Sequence, residues 1–248
     1  MKIAVISDIH GNMQALEAVL KDIEAEQCEK IFCLGDLAMA GPQPVETIEL
    51  IKKLQEKGIF ELIQGNTDEM IANYNDEINQ KVKAAAPIMA NALKNDAEII
   101  PAELIKFLKN LPAQKELEIE GVKILLVHGS PRKNDENILP DLPIEKIEEL
   151  VAGTGADVVF CGHTHIPCGY QTTKTQQTVV NTGSVGRPFT PNPQSCYVVA
   201  EFNDGKIDIM HKFVDYDREL ASKILAKRDF EGADKLAQIL ILPEKRHM

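Results

Sequence analysis

Five short apolar runs in this chain each give way, within a few residues, to a side chain able to bind a metal ion, and this constrains the fold more than any other feature. Lys2 to Ser7 is followed by Asp8 and His10, Lys30 to Leu34 by Gly35-Asp36, and Ile59 to Ile63 by Gly65-Asn66. Ile124 to Val127 ends at His128, and Asp157 to Cys161 at Gly162-His163-Thr164-His165. Apolar runs of this length bounded by turn residues read as buried strands. Helical spacing intervenes: Asn12 caps a segment with Met13, Leu16, Val19, Leu20 and Ile23, and Val45 to Lys57 repeats the signal. Such alternation predicts a parallel sheet under covering helices. Ligands of open α/β sheets bind beyond the carboxyl ends of the strands, so these loops can converge.

From Asp68 to about Leu111 the pattern becomes Ala-, Leu-, Ile- and Lys-rich and helical, broken at Pro87 and Pro101. Strands resume at Lys115 to Glu120 and Val122 to Val127, a helix is expected near Ile144 to Ala152, and Tyr170 to Phe213 runs in short β segments with a turn at Asp204-Gly205. The tail from Asp217 is helical. No repeat or linker divides the chain, so one domain over residues 1–248 is expected, with a helical cap inserted at about 68–112.

Charge narrows the partners. Lys plus Arg number 27 against 38 for Asp plus Glu, a balance of −11, which argues against a broad hold on nucleic-acid backbones. A small anionic substrate needs local help, which metal ions can supply. The sequence has no signal-peptide pattern at its start and no apolar stretch of the roughly 20 residues that span a bilayer. Its five cysteines are odd in number and form no C-x-x-C; several sit in apolar runs. A reduced, cytoplasmic protein with no membrane partner is expected.

Taken singly the motifs are weak. Asp8-Ile9-His10 fits a helix cap beside a surface histidine, and Gly-Asp and Gly-Asn are ordinary turn dipeptides. Gly162-His163-Thr164-His165 says more, because two histidines after a buried strand are costly without partners. His211 and His247 have no such placement and read as a strand residue and a residue of a disordered tail. Jointly, the order D-x-H, G-D, G-N, H-G, G-H-T-H resembles the calcineurin-like metallophosphoesterase superfamily over nearly the whole chain. The compact size and Asn181-Thr182-Gly183-Ser184-Val185-Gly186-Arg187-Pro188 resemble its small prokaryotic phosphodiesterase branch.

The resemblance implies an α/β fold, a four-layer α/β/β/α sandwich with two metals at its edge. It implies that Asp8, His10, Asp36 and His165 hold one ion and that Asp36, Asn66, His128 and His163 hold the other, Asp36 bridging. Two divalent ions roughly 3.5–4 Å apart can bind a phosphoryl oxygen, generate hydroxide at neutral pH and offset charge on the phosphorus oxygens. Oxygen and imidazole ligands without thiolate suit Mn²⁺, the expected ion, with Fe²⁺, Zn²⁺ or Ni²⁺ as alternatives. The expected activity is hydrolysis of phosphodiester or nucleotide phosphoanhydride bonds in a small phosphorylated substrate. The alternatives are a phosphomonoester or phosphoprotein phosphatase, which shares the metal site, and a non-catalytic binding scaffold of the retromer-subunit type. The sequence is compatible with an oligomer.

The family pattern departs at one position. A histidine usually follows the G-N asparagine and is assigned to protonating the leaving group; here the run is Gly65-Asn66-Thr67-Asp68. Threonine is no general acid near neutral pH, which favours leaving groups that are already acidic. Arg187, after a Gly-rich turn, is placed to clamp a phosphate and joins Asp36, Asn66 and His128 as an expected catalytic residue. Arg132, four residues beyond His128, is a second candidate clamp.

Overall fold

The computed structural model describes residues 1–242. His247 therefore lies outside the described residues. In chain order the elements are β1 (Lys2–Ile6), α1 (Met13–Ala25), β2 (Lys30–Cys33), α2 (Pro44–Glu56), β3 (Phe60–Leu62), α3 (Asn66–Ala72), α4 (Asp76–Ala85), α5 (Pro87–Ile99), α6 (Ala102–Lys109), β4 (Gln114–Ile119), β5 (Val122–Val127), α7 (Ile144–Val151), β6 (Val158–Cys161), β7 (Cys168–Gln171), β8 (Thr178–Asn181), β9 (Ser195–Asn203), β10 (Lys206–Val214), α8 (Arg218–Leu225) and α9 (Ala233–Ile241). The sequence pattern gave β1 to β3, β4 to β6, α1, α2 and α7 within a few residues, and gave α3 to α6, β7 to β10 and the C-terminal helices only as helical or β-rich stretches. At α1 the Asn12 side chain accepts the Ala15 N–H at 3.2 Å, the expected cap.

Two five-stranded sheets form, in the orders β10-β9-β1-β2-β3 and β4-β5-β6-β8-β7. Within them β1, β2 and β3 are mutually parallel, as are β5, β6 and β8, while the outer strands join antiparallel. The period-two alternation of the strands sorts their side chains into layers. Ile3, Val5, Phe32 and Leu34 point inward to meet Ile124, Leu126, Val158 and Phe160 of the second sheet. Ala4, Ile6, Ile31 and Cys33 point outward and are covered by Leu16, Val19, Ile48 and Ile51 of α1 and α2. Leu125, Val127 and Val159 leave the second sheet on its far side and pack under Ile147 and Leu150 of α7. Helices, sheet, sheet and helix stack as four layers.

The insert is α3 to α6, and its end returns to its beginning: the Gln64 N–H donates to the Pro112 carbonyl at 2.7 Å. It meets the segment between α8 and α9 at a buried ion pair. Asp96 of α5 meets Arg228 at 2.6 Å and also accepts the Ala40 N–H at 2.9 Å, while Arg228 donates to the Gly41 carbonyl at 2.8 Å. Insert, C-terminal segment and the loop after β2 are thereby tied at one point. The exposed cysteine chemistry of a disulfide framework is absent, all five thiols being free. Among the described residues no helix is long and apolar enough to cross a membrane.

Candidate metal centre

The loops after β1, β2, β3, β5 and β6 meet at one edge of the sandwich, where the parallel strands of both sheets end. They are laced by backbone bonds: the Asp8 N–H donates to Gly35, the His10 N–H to Asp36, and the Gly162 N–H to His128, at 3.1, 2.9 and 2.8 Å. Several residues here adopt the left-handed backbone that side chains normally avoid, namely Asp8, His10, Asp36, His163 and His165, with φ of 56°, 47°, 56°, 66° and 60°. Such strain collects where function requires a particular direction of the side chain.

The glycines of the two dipeptides have a reason beyond turn propensity. A Cβ on Gly35 would lie 2.1 Å from the Gly65 nitrogen, and one on Gly65 would lie 2.1 Å from Asp36 Oδ1. The two loops pack backbone to backbone, so Gly-Asp and Gly-Asn are coupled positions rather than separate turns.

Two donor groups result. Asp8, His10 and His165 form the first, buried beneath the surface, and Asp8, Asp36 and His128 form an overlapping second. The distances define the join: Asp36 Oδ2 is 3.6 Å from His10 Nε2, and Asp36 Oδ1 is 3.4 Å from His128 Nε2. Asn66 Oδ1 lies 3.0 Å from His128 Nε2 and 2.9 Å from His163 Nδ1. Every residue that the sequence motifs single out as a ligand is in this cluster.

Outer partners fix the rings. His10 Nδ1 donates to the Met39 carbonyl at 3.0 Å, His128 Nδ1 to that of Leu34 at 2.7 Å, and His165 Nδ1 to that of Arg187 at 2.6 Å. A carbonyl can only accept, so each Nδ1 carries a proton and each Nε2 is turned inward. His10 Nε2 and His165 Nε2 then face each other at 3.1 Å, with Asp8 Oδ1 at 3.2 Å from the latter. Asp8 Oδ1 is buried without a hydrogen-bond partner. One proton can relieve only one of these contacts, whereas a cation relieves all of them, so the donor set fits a metal ion.

The crowding of these groups shifts their titration in both directions. Burial holds the His10 and His163 imidazoles down to about 4, with the charges of His165 and His128 respectively adding to the effect. Burial opposes ionisation of Asp8 and Asp36 as well, yet the neighbouring imidazoles keep both carboxyls below their ordinary range. For His128, burial is outweighed by the Asp36 and Asp8 carboxylates, and the ring is driven up to about 10.

Asp68 is the residue the motif reading undervalues. It is buried, and its carboxylate accepts the N–H groups of Asp36, Leu37 and Gly65 at 2.8, 2.9 and 3.0 Å. It therefore holds the second and third loops against each other, with both of its oxygens already accepting backbone N–H groups. Burial and the Asp36 charge raise it to about 7 against the pull of those donors. Thr67 donates its own N–H to Asp36 Oδ1 at 2.9 Å. Asn181 likewise sets the G-H-T-H turn, donating to the Gly162 carbonyl at 2.7 Å and to Thr164 Oγ1 at 2.9 Å. No spacing rule marks such supports; only the hydrogen-bond map does.

Of the two candidate clamps, Arg187 lines the cavity over the centre, and its guanidinium lies 5.7 Å from the Phe189 ring centroid. Arg132 does not line it. It is half exposed and paired with Glu136 of its own loop and Glu149 of α7 at 2.5 and 3.1 Å, which hold its guanidinium there. His211 is a strand residue as expected, with the added task of bridging the sheets by a 2.8 Å bond to the Asn181 carbonyl.

Residues 1–205 match the model of the calcineurin-like phosphoesterase superfamily domain. The chain belongs to that superfamily. A member-length relative, MJ0912 of Methanocaldococcus jannaschii, is 31% identical over 241 residues, covering 91% of this chain and 92% of that protein. Phosphodiesterase YfcE of Escherichia coli strain K12 is 28% identical over 195 residues, covering 79% and 85%. Among solved structures, the hypothetical protein PH1004 of Pyrococcus horikoshii OT3 superposes with a TM-score of 0.86 at 25% identity, covering 99% of both chains. The fold of this calcineurin-like phosphoesterase thus recurs along the full length of the chain, helical insert included.

Proposed function

We propose that this chain is a phosphodiesterase working at a dinuclear metal centre, on small substrates whose leaving groups are acidic. The observation that carries the proposal is Asp36: its two carboxylate oxygens face separate donor groups, His10 on one side and His128 on the other, at 3.6 and 3.4 Å. In this reading Asp8, His10, Asp36 and His165 hold one ion, and Asp36, Asn66, His128 and His163 the other, with Mn²⁺ as the expected ion. Bound there, the ions would polarise the phosphoryl oxygens and lower the pKa of water.

The protein's own contribution is position. Carbonyls of Leu34, Met39 and Arg187 aim the imidazoles, and Asp68 keeps the β2 and β3 loops in register. Arg187 would hold a non-bridging phosphate oxygen at the mouth, where a guanidinium suits a phosphate better than an ammonium does. With Thr67 in place of an imidazole, the leaving oxygen departs without a proton from that position, so acidic leaving groups are favoured. A binding scaffold would not require the whole ligand set to be present. Soluble phosphodiesters, not nucleic acid or membrane, are the partners that the charge of −11 supports.

The experiment is a screen of phosphomonoesters, phosphodiesters, cyclic nucleotides and dinucleoside polyphosphates with each divalent metal, alongside elemental analysis. Two ions per chain and hydrolysis of activated diesters are expected. Fewer than one ion per chain after Mn²⁺ reconstitution would overturn the proposal.

A further inference from the structure

The cavity above the metal-capable residues has a volume of about 470 Å³, within the range of sites that enclose a small molecule. Its floor is polar and its walls are not. Met70 of α3, Val82 of α4, Met89 of α5, Met39 of the loop after β2, Phe189 and Ile239 of α9 line it. Met70, Val82, Met89 and Ile239 are half-buried residues backed by the main core, so this apolar surface stands ready before any ligand arrives.

We propose that this wall is a subsite for an aromatic ester group, making aryl phosphodiesters the substrate class; the proposal rests on the phosphodiesterase reading above. Four observations converge on it. Three thioethers from three separate elements meet over the centre, and methionine sulfur gains from contact with ring edges while its unbranched chain adapts to their shape. Phe189 stacks on His165 with centroids 4.7 Å apart and planes 12° from parallel, so the apolar wall runs unbroken down to the floor. Among the described residues lining the cavity Arg187 is the one basic side chain apart from the histidines, which matches the single charge of a diester. Among the described residues the wall offers no further cation for the added charge of a polyphosphate leaving group.

The fourth observation is Thr67. An aryl oxide, with a pKa near that of tyrosine at about 10, can depart as the anion far more readily than an alkoxide. In the step, a water oxygen bonds to phosphorus as the bond from phosphorus to the aryl oxygen breaks. The electron pair leaves on the phenolate oxygen and the water's proton passes to solvent, giving a phosphomonoester and a phenolate. The missing acid and the apolar wall thus select the same group for different reasons.

Leaving-group acidity and ring recognition are separated by a matched pair, bis(4-chlorophenyl) phosphate and bis(hexafluoroisopropyl) phosphate, whose leaving groups are of similar acidity. With Mn²⁺-loaded protein the aryl diester should be preferred by about tenfold or more in kcat/KM, the scale expected for burying a ring. Calorimetry should show phenylphosphonate binding tighter than methylphosphonate by a similar factor. Met70→Ser and Met89→Ser should shrink both ratios several-fold, whereas Met89→Leu, which keeps the apolar volume, should retain them. Ratios near one in the native protein overturn the subsite, and they decide the matter alone if a serine variant fails to fold. Failure to hydrolyse either diester would instead overturn the phosphodiesterase reading, leaving the phosphonate ratio to judge the wall by itself.

Discussion

The floor of the cavity and its wall are built by opposite means. Floor residues come from five loops that end strands of two sheets, and directional hydrogen bonds set them, as carbonyl acceptors set His10, His128 and His165. Wall residues come from helices and two loops far apart in sequence; Met39, Met70, Val82, Met89 and Ile239 pack on the apolar core behind them, while Phe189 stacks on His165. The floor tolerates no adjustment, because a donor displaced by an ångström no longer converges with the others. The wall tolerates much, because apolar contact is non-directional. Chemistry and substrate choice are therefore separable here, and mutations should reveal the division.

The largest effect is expected at the floor. Asp36→Asn should lower metal content at both positions and cut hydrolysis of an activated diester by at least a thousandfold, about 4 kcal/mol of barrier, with circular dichroism unchanged. His128→Ala and His163→Ala should do the same to hydrolysis. Near-native turnover in any of them would break the distinction between a rigid floor and a permissive wall.

Next comes the buried tie between wall and floor. Arg228→Met strands Asp96, which is fully buried, and should cost about 3 kcal/mol, lowering Tm by roughly 6–12 °C in a calorimetric scan. Since Asp96 also holds the Ala40 N–H beside Met39, a change in metal affinity accompanying the stability loss would show that the wall's anchor reaches the floor through the Met39 carbonyl.

Thr67 sharpens the comparison at smaller scale. The native rate should fall steeply with leaving-group pKa across aryl and alkyl diesters. Thr67→His should help poor leaving groups more than good ones. General acids are worth about 10²- to 10⁴-fold, and the gain should sit toward the low end because a grafted ring lacks dedicated supporting partners and Asp68 already serves three backbone N–H groups. A flat native series would refute this reading of position 67.

The smallest effect lies outside both regions. Glu26 bonds Lys2 and Lys212, each at 2.6 Å, and these hydrogen bonds depress its carboxyl to about 2. A depressed folded-state pKa contributes stability above the usual carboxylate range that is lost as pH falls toward 2. For a half-buried surface cluster screened by solvent the contribution is about 0.5 kcal/mol or less, so Glu26→Gln should flatten the acid limb of the Tm profile only slightly.

Much of this was legible in residue order. Strand and helix positions follow from period, and the floor follows from where chemistry-bearing residues end apolar runs, since a parallel strand must deliver its next residue to the same edge. The absence of an imidazole at Thr67 was likewise plain. What the sequence could not contain was any relation set by packing between distant segments. Gly35 and Gly65 look like two turns until their backbones are seen to touch; Asp68 looks like a spare acid until its three N–H donors are in place. Arg132 and Arg187 are alike as letters, and only the tertiary structure sends one to Glu136 and the other to the cavity. Local periodicity fixes which way a side chain leaves its own strand or helix. Which partner waits there depends on contacts across the chain, and those exist only once the layers have closed.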